Sequence, residues 1–243
     1  MARDGRGAQL MGNVELSAIR EATVYVVVPA YNEELVIGNV IRGLKARCAH
    51  VVVVDDASRD KTGAEATQAG AVVLTHLINR GQGAALRTGI DYALDRGAEV
   101  IVTFDSDGQH QPEDIDRLVT PILRGETDVT LGSRFLEPQS QIPALRKVTL
   151  KLAVLFTRLI SRVRVTDTHN GLRALSRAAA LRIQIRQDRM AHASEILDEI
   201  GRLQLRYREV PTKILYSDYT RQKGQRSSAA FRIAYDFLLG KWE

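Results

Sequence analysis

The stretch Val100-Ile101-Val102-Thr103-Phe104-Asp105-Ser106-Asp107-Gly108-Gln109-His110-Gln111-Pro112 decides how the chain folds. Its apolar start reads as a buried strand, and Pro112 marks a place where a helix can begin. Two carboxylates, Asp105 and Asp107, therefore stand where a strand runs out. In open α/β sheets that is where ligands bind. Carboxylates one residue apart suit a hard divalent cation, which takes oxygen ligands and is often shared with a substrate's phosphates. Gln109 offers a further carbonyl oxygen. A solvated acidic turn has the same composition, so the stretch needs the rest of the chain to decide its meaning.

Working outward, the same grammar repeats. Val24-Tyr25-Val26-Val27-Val28 is a β-branched run that stops at Pro29-Ala30-Tyr31-Asn32-Glu33-Glu34. Leu35, Ile37, Val40, Ile41 and Leu44 follow at helical spacing. Val51-Val52-Val53-Val54 ends at Asp55-Asp56-Ala57-Ser58, and a helix is expected from about Asp60 to Gly70. Ala71-Val72-Val73-Leu74 precedes Asn79-Arg80-Gly81-Gln82-Gly83, which opens a helix to about Asp95. A fifth strand is expected at Asp128–Leu131. Strands alternating with helices imply a mostly parallel sheet covered on both faces, with every polar cluster at one edge. Further on, Leu145–Arg162 reads as a basic helix, Leu172–Ser176 as a strand, His192–Leu203 as a helix, and Tyr207–Pro211 and Lys213–Tyr216 as strands. The chain divides into an arm over 1–22, one domain over 23–228 and an amphipathic helix over 229–243.

Composition narrows the function. The 243 residues are 44% hydrophobic and 26% charged, as in globular proteins. The single cysteine, Cys48, allows no internal disulfide and fits a reducing compartment. The N-terminus has no apolar core of the secretory type, and no apolar run nears the ~20 residues of a membrane span. Residues 1–144 hold 14 Lys/Arg against 20 Asp/Glu, whereas residues 145–243 hold 20 against 9. The basic half could meet an anionic lipid or a phosphorylated substrate. Its arginines lack the interleaved aromatics of a nucleic-acid groove, so no nucleic-acid partner is expected.

Taken in order, Pro29-Ala30-Tyr31-Asn32-Glu33, Val53-Val54-Asp55-Asp56-Ala57-Ser58-Arg59-Asp60, Asn79-Arg80-Gly81-Gln82-Gly83, Asp105-Ser106-Asp107-Gly108-Gln109-His110 and Gly132-Ser133-Arg134 resemble the inverting glycosyltransferases of family 2, which have the GT-A fold. Within that family the chain is similar to the dolichol-phosphate mannose synthase and polyprenyl-phosphate glycosyltransferase branch. The resemblance implies an N-terminal part that binds a UDP- or GDP-sugar and a C-terminal part that binds the acceptor. It implies that Pro29, Tyr31, Glu33, Asp56, Gly83, Asp105 and Ser106 line the nucleotide. Asp105, Asp107 and Gln109 would hold Mg²⁺ or Mn²⁺, and Arg134, Arg146 and Lys223 would meet the phosphates. For Ser58 and Asp60, turn and N-cap roles are expected instead.

The acceptor depends on a base. A sugar hydroxyl needs one; a polyprenyl phosphate, already anionic near neutral pH, does not. In relatives that attack hydroxyls, a carboxylate near the start of a late helix serves, and here Glu195 or Asp198 is in that region. Glu195 also suits the first turn of a helix on dipole grounds. Asp107, Arg134 and Glu195 are thus the catalytic candidates. Asp167-Thr168-His169-Asn170-Gly171-Leu172-Arg173 matches the lipid-phosphate branch's Asp-x-x-Ser-Gly-aromatic-Arg pattern, with Asn170 for the serine and Leu172 for the aromatic. His169 is expected to be a loop residue. The preferred expectation is sugar transfer to a polyprenyl phosphate, by an enzyme peripheral to the cytoplasmic face of a membrane and working with a separate membrane-protein partner. Transfer to a glycan hydroxyl, and an inactive nucleotide-sugar-binding subunit, are the alternatives.

Overall fold

The computed structural model describes residues 23–136, 163–168, 170–189 and 191–215. The β-branched runs become strands β1 (Val24–Ala30), β2 (His50–Asp55), β3 (Val72–Thr75), β4 (Val100–Thr103) and β5 (Val129–Ser133), and two segments without such runs add β6 (Arg173–Ser176) and β7 (Tyr207–Pro211). They form one sheet in the order β3-β2-β1-β4-β6-β5-β7. Helices α1 (Ile37–Lys45), α2 (Thr62–Gln68), α3 (Gln82–Asp95), α4 (Asp114–Leu123), α5 (Arg177–Ala180) and α6 (His192–Arg202) connect or cover them.

Alternate residues of a strand face opposite sides, so strands that are apolar throughout feed two cores. Val26, Val28, Val51 and Val53 pack with Ile37, Ile41, Leu44, Ile115 and Leu118 on one face. Tyr25, Val27 and Val52 pack with Leu86, Ile90, Ile196 and Leu197 on the other. Fully burying each such aliphatic side chain stabilises the fold by about 1.5–3 kcal/mol.

The sheet is mostly parallel, as expected, with one reversal. β6 runs antiparallel to both β4 and β5, while β7 lies parallel to β5. Arg173, the first residue of β6, pairs with Thr103, the last of β4. Ala30, Asp55, Thr75, Thr103, Ser133, Arg173 and Pro211 therefore share one edge of the sheet. Pro29 lies in β1 beyond its last pairing with β4 (Val27 with Thr103), where a proline interrupts nothing on that side.

The strand expected at Lys213–Tyr216 is replaced by a single bridge between Ile214 and His110. There the chain leaves the sheet and follows the loop after β4, and Leu215 donates its amide to the Gln109 carbonyl at 2.9 Å. The arm over 1–22, the helices expected at 145–162 and 229–243, His169, Arg146, Lys223 and Tyr216 lie outside the described residues.

Cys48 sits in the first core, 5% exposed. Burial, reinforced by the charge of Asp116, pushes its thiol up to about 11. Near neutral pH almost no thiolate forms. The folded protein is expected to leave Cys48 unmodified by a disulfide reagent at pH 8, with full reaction in denaturant; rapid labelling of native protein would contradict the packing.

Candidate active site

The loops that follow β1, β2, β3 and β4 hold one another through long-range hydrogen bonds. Asn32 donates its amide to Ser58 Oγ at 3.0 Å, and Glu33 donates its own to Thr62 Oγ1 at 2.7 Å. Asp60 accepts from the amides of Thr62 (3.0 Å) and Glu34 (3.2 Å), the turn role expected of it before α2, whereas the N-cap position is Lys61 and the Ser58 hydroxyl ties its loop to the one after β1. Tyr31 is 40% exposed at the rim, and Glu33, only 7% exposed, lies below it in the sequence of the same loop.

Asp56 is 3% exposed and organises the loop after β3. Its Oδ1 accepts from the Arg80 amide at 2.9 Å and its Oδ2 from the Gly81 amide at 2.6 Å. His76 Nδ1 stands 2.7 Å from the same Oδ1, and its Nε2 is 3.0 Å from Thr88 Oγ1. The carboxylate proposed to read the nucleotide is thus pre-oriented by a half-buried histidine that nothing in the local sequence pattern marks.

The two carboxylates after β4 differ. Asp105 accepts from Gln82 Nε2 on one oxygen and sits 2.9 Å from His110 Nε2 on the other. Burial would raise its carboxyl, but the His110 hydrogen bond and the charges of His110, His192 and Arg173 outweigh that and hold it below the usual carboxylate range. Gly171 packs so closely that any Cβ there would overlap the Asp105 carboxylate. Asp107 accepts the Gln109 amide at 3.0 Å, and is pushed up by burial first, then by the charges of Asp105 and Glu33. A divalent cation relieves that kind of strain between anions. Among the described residues no three His, Cys, Asp or Glu side chains form a complete metal cage.

Arg134 is 4% exposed, and its Nε lies 2.6 Å from Asp167 Oδ2. Asp167 and Thr166 in turn donate their amides to Glu209 Oε1. Asn170 takes over the serine's place in the motif: its Oδ1 accepts the Leu172 amide and its Nδ2 donates to Thr212. Arg173 is buried, donates to the carbonyls of Asn170, Thr168 and Ala193, and is lowered to about 10 by burial against the charges of Asp105 and Asp167. A cavity at the sheet edge is lined by Gln82, Asp105, Arg173, His192, Ala193 and neighbouring apolar residues. Glu195 is not on that wall. Its carboxylate accepts the amides of Arg186 and Gln187 at 2.9–3.0 Å. The structure therefore brings Asp105 and Glu33 near enough to Asp107 for their charges to oppose its ionisation, joins Asp56 to the turn at Arg80–Gly81 by hydrogen bonds, and turns Glu195 to a loop. Gln82 and His110 were visible in quoted motifs but carried no assigned role. His76 has no signal in the sequence, because its partners Asp56 and Thr88 are distant in the chain; His192 bonds locally to the Arg189 carbonyl, and only its effect on Asp105 is long-range.

An open, mostly parallel sheet with its acidic loops on one edge is the architecture of a GT-A glycosyltransferase. The profile of "Glycosyl transferase family 2" matches residues 25–180, and the chain belongs to that family. It is 33% identical to the UDP-N-acetylglucosamine–dolichyl-phosphate N-acetylglucosaminyltransferase of Methanococcus voltae, across 90% of this chain and 96% of that one. It is 34% identical to the polyprenol monophosphomannose synthase of Mycolicibacterium smegmatis, across 66% and 64% respectively. The fold superposes on glucosyl-3-phosphoglycerate synthase from Mycobacterium tuberculosis, solved with Mn²⁺ and UDP-glucose, with a TM-score of 0.72, 22% identity, and coverage of 94% and 82%.

Proposed function

We propose that this enzyme moves a sugar from a UDP- or GDP-sugar to a polyprenyl phosphate, by direct displacement with inversion, using Mg²⁺ or Mn²⁺. The observation that carries the reading is the half-buried Asp107 carboxylate, which accepts the Gln109 amide two residues beyond the Asp105 that lines the cavity. In this reading Asp105, Asp107 and Gln109 hold the cation, with Asp105 steadied beside the donor by Gln82 and His110. When bound, the cation neutralises the charge that grows on the departing diphosphate. Pro29, Tyr31, Glu33, Asp56, Gly83 and Ser106 line the nucleotide. Arg134 supports the phosphates with its charge tempered by Asp167, and the same role for Arg146 and Lys223, outside the described residues, rests on the resemblance alone.

The acceptor class is supported by two things. Glu195, the carboxylate best placed in sequence to serve as a base, is engaged by backbone amides. A phosphate monoester needs no base. The Methanococcus relative, named for a dolichyl-phosphate acceptor, points the same way. No helix among the described residues is long and apolar enough to cross a membrane. The reading places the enzyme at the inner face of the membrane through its lipid acceptor and a separate membrane protein.

The test is nucleotide release from a panel of UDP- and GDP-sugars with Mn²⁺. Release is expected only when a short polyprenyl phosphate is added. Equal turnover with a soluble hydroxyl acceptor, and none with the lipid phosphate, would overturn the acceptor assignment.

A further inference from the structure

We infer that residues 185–189 form a strap across the start of α3, that Glu195 ties the strap down, and that Glu195 thereby acts on donor affinity as a positioning residue. The part concerning the donor rests on the function proposed above.

The strap is fastened from two sides. From α6, the Glu195 carboxylate accepts the Arg186 amide at 3.0 Å and the Gln187 amide at 2.9 Å. From α3, Arg87 donates to the Ile185 carbonyl at 2.8 Å and to the Asp188 carboxylate at 3.0 Å. Arg80 lies 3.6 Å from the same carboxylate.

The strap in turn holds the glycine turn. The first amides of a helix have no partner within it. Here the Ala84 amide donates to the Asp188 carbonyl at 3.1 Å, so the strap completes the helix start. Contact is backbone on backbone. A Cβ at Gly83 would collide with the Gln187 carbonyl oxygen, and one at Gly81 with that of Asp188. Gly81 also has a φ of 104°, a conformation that side chains disfavour. The close approach that glycines permit at this turn is therefore toward the strap.

What the strap positions is chemically central. The Gly81 amide hangs from Asp56 at 2.6 Å, and the Gln82 side chain reaches Asp105 at 2.9 Å. One turn thus connects the carboxylate proposed for the nucleoside with a carboxylate proposed to stand beside the diphosphate. A strap that lifts disturbs both ends of the donor together, without touching the reacting atoms.

The experiment uses the full chain with Glu195→Gln and Arg87→Met, singly and combined. Hydrogen exchange at Gly83 and Ala84, UDP and GDP affinity with Mg²⁺ by calorimetry, and kcat are read together. Each single variant is expected to speed exchange at Ala84 and to weaken nucleotide binding about tenfold, with kcat at saturating donor within about threefold. The double variant is expected to be little worse than either single one, because both loosen the same segment. Unchanged exchange in Glu195→Gln overturns the strap. A loss of kcat of about 100-fold with unchanged affinity overturns it in favour of a base. Additive losses in the double variant overturn the shared fastening. If the unaltered protein binds neither nucleotide, the proposed donor fails, and exchange at Ala84 still decides whether Glu195 holds the strap.

Discussion

Asp107→Asn is expected to cut nucleotide release by at least about 10³-fold, a loss of roughly 4 kcal/mol of transition-state stabilisation. Of the two carboxylates after β4, only Asp105 has both oxygens engaged by other side chains. Among the described residues Asp107 accepts only the Gln109 backbone amide, through one oxygen, and burial together with Asp105 and Glu33 raises its carboxyl. The asparagine has the same shape and retains an oxygen for the Gln109 amide, but it lacks the charge that draws a cation. Stability should stay level or rise, since one member of a crowded group of anions has been neutralised. The pair of readings matters. Lost turnover with an unchanged melting temperature identifies a charge needed for chemistry, whereas a variant that keeps more than a tenth of the activity would remove Asp107 from the centre of the mechanism.

Asp167→Asn is expected to do the reverse and strike the fold. The Arg134–Asp167 pair has side chains 5% and 0% exposed and a 2.6 Å contact. Breaking a buried pair by removing one charge costs about 3–5 kcal/mol, because the remaining charge stays desolvated. For a domain of this size that corresponds to a fall in melting temperature on the order of 10 °C. Asp128→Asn serves as the control. Its partner Arg206 is 60% exposed, and water takes the place of the lost contact, so a much smaller shift is expected. Equal shifts in the two variants would show that burial does not govern the Arg134 pair.

Local pattern carried much of the architecture. Val24–Ala30 and His50–Asp55 are apolar along nearly their whole length, which only a strand covered on both faces explains. Each such strand ends in polar residues, so the edge bearing Asp56, Asp105 and Asp107 could be read directly. Periodicity also found α6 at His192–Arg202 within a residue. It did not show that β6 is reversed, because a strand of four residues has the same alternation in either direction.

The amino-acid sequence by itself determined the alternating α/β order, the placement of the acidic loops, and the chemical types available there. Only the tertiary structure decided what each group does. Asp105 meets Gln82 from 23 residues away, Asp56 meets Gly81 from 25, and Arg134 meets Asp167 from 33. Glu195 faces two amides eight and nine residues before it rather than the cavity wall. The physical reason is range. Strand and helix patterns arise from neighbours within a few residues, whereas charge pairing and hydrogen-bond direction depend on which distant segments the folded sheet brings together.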